Sequence, residues 1–219
     1  MISMKKIAVI LSGSGVFDGA EIHESVLALH AIEKANATWH CFAPNVEQLH
    51  VINHLTGEVT EESRNVLVES ARIARGNIED VEKLNVNDFD ALLLPGGFGA
   101  AKNLTDFAIK GAECSINTHV ASACRAFAEA GKPAGYLCIA PTIIPLIYPN
   151  AVKGTIGNDS DAAAGFAALG GQHVDCAVDE IIYDAQHNVI STPAYMLATT
   201  ISEANSGIEK LVNKLISLA

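Results

Sequence analysis

Apolar residues fall in short blocks separated by polar, glycine-rich turns, and the blocks alternate between two periods. Lys6–Ser12 is an apolar run that ends at Gly13-Ser14-Gly15, as a buried strand followed by a turn would. Ala20–Ala35 then carries Ile22, Val26, Leu29 and Ile32 along one side, the spacing of a helix. Thr38–Ala43 reads as a second strand, closed by Pro44. A chain that opens β-α-β predicts a parallel sheet with right-handed crossovers. Val51–Glu58 suits a small hairpin or an extended loop, Asn65–Arg75 a helix, and 78–84 a connector. Asp90–Pro95 is the clearest strand and runs into Gly96-Gly97-Phe98-Gly99. A long amphipathic helix over Ser115–Ala130 stops at Gly131-Lys132-Pro133, and a short apolar run, Ala134–Ile139, follows. Beyond Pro149 the pattern gives strands at Val152–Ile156 and His173–Ala177 and a helix over Asp161–Leu169. A hairpin joins Asp179–Asp184 to Val189–Thr192, and a last helix spans Tyr195–Leu218. No repeat, low-complexity segment or linker interrupts this series, so residues 1–219 read as one α/β domain.

Composition narrows the function classes. Of 219 residues, 49% are hydrophobic and 18% charged, the balance of a chain with a full-sized core. A net charge of -11 argues against partners that need a basic patch, both nucleic acid and anionic membranes. No apolar run approaches the roughly 18–20 residues needed to span a bilayer. The first apolar run reaches Gly13 and Gly15 too soon for a signal peptide, and the expectation is a cytoplasmic protein. Five cysteines are scattered without a C-x-x-C pair or a zinc-type spacing, so most of them should be small buried hydrophobes.

Three loops, Gly13–Ala20, Gly96–Ala101 and Cys138–Pro141, follow strands, and in an open parallel sheet ligands bind at that edge. Cys138 ends its strand and passes straight towards Pro141-Thr142-Ile143-Ile144, so its sulfur should sit at a sharp turn near a helix N-terminus. Such a position favours thiolate over thiol. Gly96–Asn103 lacks the Lys-Ser/Thr ending of a P-loop and the spacing of a dinucleotide fingerprint. It is either a plain strand-to-helix turn or a source of backbone N–H groups for an oxyanion. Glu21, His23 and Glu24 open the first helix, where the helix dipole alone would favour the acids. Either carboxyl could instead act as an acid/base towards the thiol if burial raised its pKa.

The combined motifs resemble the ElbB branch of the ThiJ/PfpI superfamily, whose fold is class I glutamine amidotransferase-like. They are Ile10–Gly13 with Asp18–Glu24, Val51–Glu58, Pro95–Leu104, Cys138–Pro141 and Thr192–Met196, spread over essentially the whole chain. The resemblance implies a flavodoxin-like three-layer sandwich with a mostly parallel sheet and a nucleophile elbow, assembled as a homodimer. It implies Cys138 as nucleophile, Glu21 as acid/base partner, and the N–H groups of Gly97 and Ile139 as the oxyanion site. The implied reaction needs no cofactor and no metal: a 2-oxoaldehyde becomes a 2-hydroxy acid, and glyoxal becomes glycolate. Two departures stand out. Ile139 occupies the position after the nucleophile where many superfamily members carry His. None of the eight histidines is followed two places later by Glu, so the H-x-E pair of the amidotransferases is missing. No histidine carries over by motif, and His23, His54, His119 and His173 are candidates by position only. The alternative is a redox-responsive regulatory or scaffold protein using the same cysteine. A third reading, amide hydrolysis, lacks its base.

Overall fold

Strand β1 (Lys6–Ile10) shows how the sequence builds the sheet. Ile7 and Val9 enter one core and Ala8 and Ile10 the other, all fully buried, so alternation across the strand is apolar on both sides. In β4 (Ala91–Leu94) the same division sends Ala91 and Leu93 one way and Leu92 and Leu94 the other. The computed structural model describes residues 4–158 and 160–219; Met1–Ser3, which head the stretch weighed as a leader, lie outside it.

Seven strands form the main sheet in the order β3-β2-β1-β4-β5-β9-β8. Besides β1 and β4 they are β2 (Thr38–Ala43), β3 (Ile78–Asp80), β5 (Ala134–Leu137), β8 (Ile182–Asp184) and β9 (Val189–Thr192). Neighbours are parallel from β3 through β9, and β8 alone returns antiparallel to β9. One face is covered by α1 (Ile22–Lys34) and α7 (Ile201–Leu218), which pack on each other as well as on the sheet. Burying Ile208, Leu211 and Leu215 of α7 contributes about 1.5–3 kcal/mol each to holding it there. The opposite face is covered chiefly by α4 (Thr118–Glu129), through Val120, Cys124 and Phe127. Helix α2 (Val66–Ile73), capped by the Asn65 side chain, packs against β2 and β3. The expected α/β sandwich with a mostly parallel sheet is therefore present.

The differences have local causes. Residues 78–80 form the edge strand β3 rather than a connector, pairing Cys41 with Ile78 and Ala43 with Asp80. An edge strand of three residues with one exposed face leaves no apolar run to detect. The two strands expected after Pro149 shrink to a separate pair, β6 (Lys153–Gly154) and β7 (Gln172–His173). Helix α6 (Ser160–Ala168) lies between them, and α3 (Phe107–Lys110) and α5 (Ile144–Ile147) are single turns. The last helix begins at Ile201, not Tyr195, because Thr200 caps it by accepting from the Glu203 N–H. Ala194–Met196 instead makes one 3-10 turn beyond β9.

Since β1, β4 and β5 are adjacent and parallel, the loops leaving their carboxyl ends meet at one edge. The β9 exit, carrying Tyr195, arrives at the same edge from the other side of β5.

Candidate active site

Cys138 follows β5 with φ +61, a left-handed conformation that a non-glycine residue adopts only under constraint. Its own N–H is held by the Thr192 carbonyl of β9 at 3.0 Å. The chain then enters a 3-10 turn, Ala140–Ile143, so the Ile139 N–H is one of the unpaired donors that begin a helix. That N–H and the N–H of Gly97 both donate to the Cys138 sulfur. The sharp turn expected after β5 is present at Cys138, and the two N–H groups that the resemblance implied flank its sulfur. Gly97 has φ +92 and passes so close to the backbone of Gly19 and Glu21 that no side chain fits.

The carboxyl that meets the thiol belongs to Glu24. The Cys138 S–H donates to its carboxylate, whose other contacts are the N–H of Gly96 to Oε2 at 2.9 Å and the N–H of Tyr195 to Oε1 at 3.1 Å. Glu21, which the resemblance put in this role, sits one step back. Its Oε2 accepts the Glu24 N–H at 2.6 Å as the N-cap of α1, and its side chain also lines the cavity beside the thiol. Glu21 thereby fixes the first turn that aims Glu24 at the sulfur.

Burial dominates the electrostatics. Glu24 has no exposed surface, and desolvation raises its carboxyl to about 7 despite the two backbone donors. Cys138, 7% exposed, is pushed well above the ordinary thiol value, first by burial and then by the charge of Glu24, against the pull of the two N–H groups. The expectation that the elbow would favour a free thiolate is thus corrected. The helix following Cys138 is one 3-10 turn leading into a four-residue α5, too short to offset desolvation beside a carboxylate. The site instead stores one negative charge and one proton across two atoms, with two N–H donors aimed at each. Moving the proton from sulfur to carboxylate exchanges one pair of donors for another but runs uphill, because the buried thiol holds its proton more tightly than the carboxyl does.

Gly96 lets the two groups meet. A methyl group there would stand 2.7 Å from Glu24 Oε2 and would overlap the Cys138 β-carbon. Gly96→Ala is expected to destabilise the fold by about 1–3 kcal/mol. That lowers the melting temperature by about 2–4 °C per kcal/mol in a chain of this size. An unchanged melt would show that the close approach relaxes freely.

In front of the thiol lies a cavity of about 200 Å³, lined by Val16, Glu21, Gly97, Phe98, Cys138, Ile139, Tyr195 and Met196. It is smaller than the roughly 300–1,000 Å³ that drug-sized ligands occupy, and suits a substrate of a few heavy atoms. Tyr195 was not singled out in the sequence, although Thr192–Met196 was among the motifs. Its hydroxyl lies 2.9 Å from His23 Nδ1. The other histidine candidates serve structure. His54 stacks on Phe17 and accepts its N–H, and His173 Nε2 accepts the Ile156 N–H. His119 is exposed at the start of α4. Among the described residues no three His, Cys, Asp or Glu side chains converge as a metal site would.

No family model matches the sequence. The chain is 41% identical to the human "Glutamine amidotransferase-like class 1 domain-containing protein 3, mitochondrial", over 97% of its own length and 83% of that protein's. It is equally 41% identical to the rat "ES1 protein homolog, mitochondrial", over 97% of the chain and 84% of the relative. The chain belongs to the class I glutamine amidotransferase-like family. A solved member, an isoprenoid biosynthesis protein with amidotransferase-like domain from Ehrlichia chaffeensis, superposes with a TM-score of 0.92 at 37% identity. The match covers 98% of this chain and 99% of that one. A DJ-1 superfamily protein from Salmonella typhimurium, at 17% identity and a TM-score of 0.59, shares the fold alone over 98% of this chain and 91% of its own. The human and rat family members are mitochondrial, which overturns the expected cytoplasmic location. Among the described residues no helix is long and apolar enough to cross a membrane.

Proposed function

We propose that this protein is a cofactor-independent enzyme of the ElbB branch that converts glyoxal or a related 2-oxoaldehyde into a 2-hydroxy acid. The observation that carries the reading is the buried Cys138–Glu24 pair, with N–H donors on both partners, opening into a small cavity. Glu24 takes the thiol proton as sulfur bonds to one aldehyde carbon. The oxygen that gains charge lies by the N–H groups of Gly97 and Ile139 and then receives that proton, giving a hemithioacetal. Glu24 next removes the hydrogen from the carbon bonded to sulfur and returns it to the neighbouring carbon, leaving a thioester. Water adds to the thioester, the C–S bond breaks, and sulfur regains its proton as the 2-hydroxy acid leaves. Glyoxal plus water thus becomes glycolic acid, with no change in net oxidation state. The solved relative from Ehrlichia chaffeensis, named for isoprenoid biosynthesis, supports the branch. The redox alternative is disfavoured, because sensor thiols are exposed and acidic whereas this one is buried and raised.

The test is glycolate formation by purified protein across pH. Glu24 can accept the thiol proton only once ionised, so kcat/KM should rise through about pH 7. The same shift has an opposite sign for stability. The folded carboxyl binds its proton more tightly than an unfolded one of 4.5, so its contribution is full below about 4.5 and is lost as pH rises through about 7. No glycolate at any pH, or activity flat across pH 7, overturns the reading.

A further inference from the structure

Resting on that reading, we infer that Tyr195 is a second proton donor of the reaction and that His23 is the residue that positions it. The enolisation step has two ends. Glu24 serves the carbon bonded to sulfur, but the oxygen on the neighbouring carbon gains charge at the same moment and needs its own donor. The N–H groups of Gly97 and Ile139 converge on the sulfur side, and Ile139 supplies no side-chain proton. The remaining polar side chains on the cavity wall are Glu21 and Tyr195. Glu21 is committed as an acceptor to the Glu24 N–H.

Tyr195 is built into this place from both directions. Its backbone N–H holds Glu24 Oε1 at 3.1 Å, which ties its position to the proton carrier it would complement. Its hydroxyl lies 2.9 Å from His23 Nδ1, and the two rings sit 5.8 Å apart at 48°. With the Nδ1–H tautomer, His23 donates to the phenol oxygen, and the phenol O–H is left free to donate in turn. His23 and Glu24 are neighbours in the first turn of α1, so one helix end aims both proton-handling groups.

The step balances as follows. Glu24 removes the proton from the carbon bonded to sulfur, and the C–H electron pair becomes a C=C bond. Tyr195 gives its proton to the neighbouring oxygen. As Glu24 returns a proton to the second carbon, the first becomes the thioester carbonyl, and its hydroxyl proton restores Tyr195.

The experiment compares wild type with Tyr195→Phe, His23→Ala and His23→Asn, whose amide N–H can stand in for Nδ1–H. Two quantities are read: glyoxal uptake on Cys138 by intact mass, and kcat for glycolate. Tyr195→Phe and His23→Ala should form the adduct at the wild-type rate with little change in KM, yet lose about a hundredfold in kcat. His23→Asn should regain most of that loss, which a merely structural histidine would not predict. Equal kcat in wild type and Tyr195→Phe overturns the assignment and leaves the Cys138 reading standing. A wild-type Cys138 that takes up no glyoxal overturns both.

Discussion

Cys138→Ala is expected to abolish glycolate formation, with at least about a thousandfold less product than wild type. The prediction is strong because, among the described residues, no other thiol lines the cavity. Cys41 and Cys124 lie in the cores, where burial holds each thiol at about 12. The Ala variant would keep the elbow backbone, since Cys138 N–H binds Thr192 whatever the side chain. A thermal melt close to that of wild type should accompany the loss. Cys138→Ser should be almost as inactive, because a buried hydroxyl is a far weaker acid than a thiol. Product formation surviving in the Ala variant would sink the mechanism, whatever the fate of the individual proton carriers.

Glu24→Gln should cost about a hundredfold to a thousandfold in kcat, and Glu21→Gln less than about tenfold. The two side chains differ in what they touch. A Gln at position 24 keeps an oxygen for only one of the two backbone donors and cannot take a proton from sulfur, so turnover should fall and the rise through about pH 7 should vanish. A Gln at position 21 still offers an oxygen to the Glu24 N–H, so the cap survives with a weaker acceptor. Rates measured side by side decide the matter. If Glu21→Gln were the more damaging, the carboxyl implied by the resemblance would be the proton carrier and Glu24 only its scaffold.

That pair also shows how far the sequence could be read. Apolar runs such as 7–10 and 91–94 announce buried parallel strands, and three such strands suffice to bring their exits to one edge. Cys138 and Gly96-Gly97 were therefore legible from the sequence as neighbours at one sheet edge. The choice between Glu21 and Glu24 was not. Three residues apart in a helix they would share a face, but Glu21 lies outside the helix with φ -65 and ψ 122, so helical spacing does not apply to it. Tyr195 was hidden for a similar reason. Placed in a continuous C-terminal helix it had no claim on the site, and only the break before Thr200 turns it inward. Edge strand β3 escaped notice, and the β6–β7 pair was expected longer than it is, because short, half-exposed strands carry too few apolar positions to define them.

The hydrogen bond from Tyr195 to Glu24 joins residues 171 positions apart. A growing chain therefore emerges with its reactive pair incomplete: β1, α1, β4 and the elbow can be made long before the segment that satisfies Glu24 exists. The entropic cost of closing so long a loop must be met by the whole sheet, since a single contact cannot offset it. Chemistry at Cys138 is in this way coupled to the synthesis of the segment that carries Tyr195, and a chain lacking or not yet folding that segment would carry the cysteine without the machinery that makes it useful.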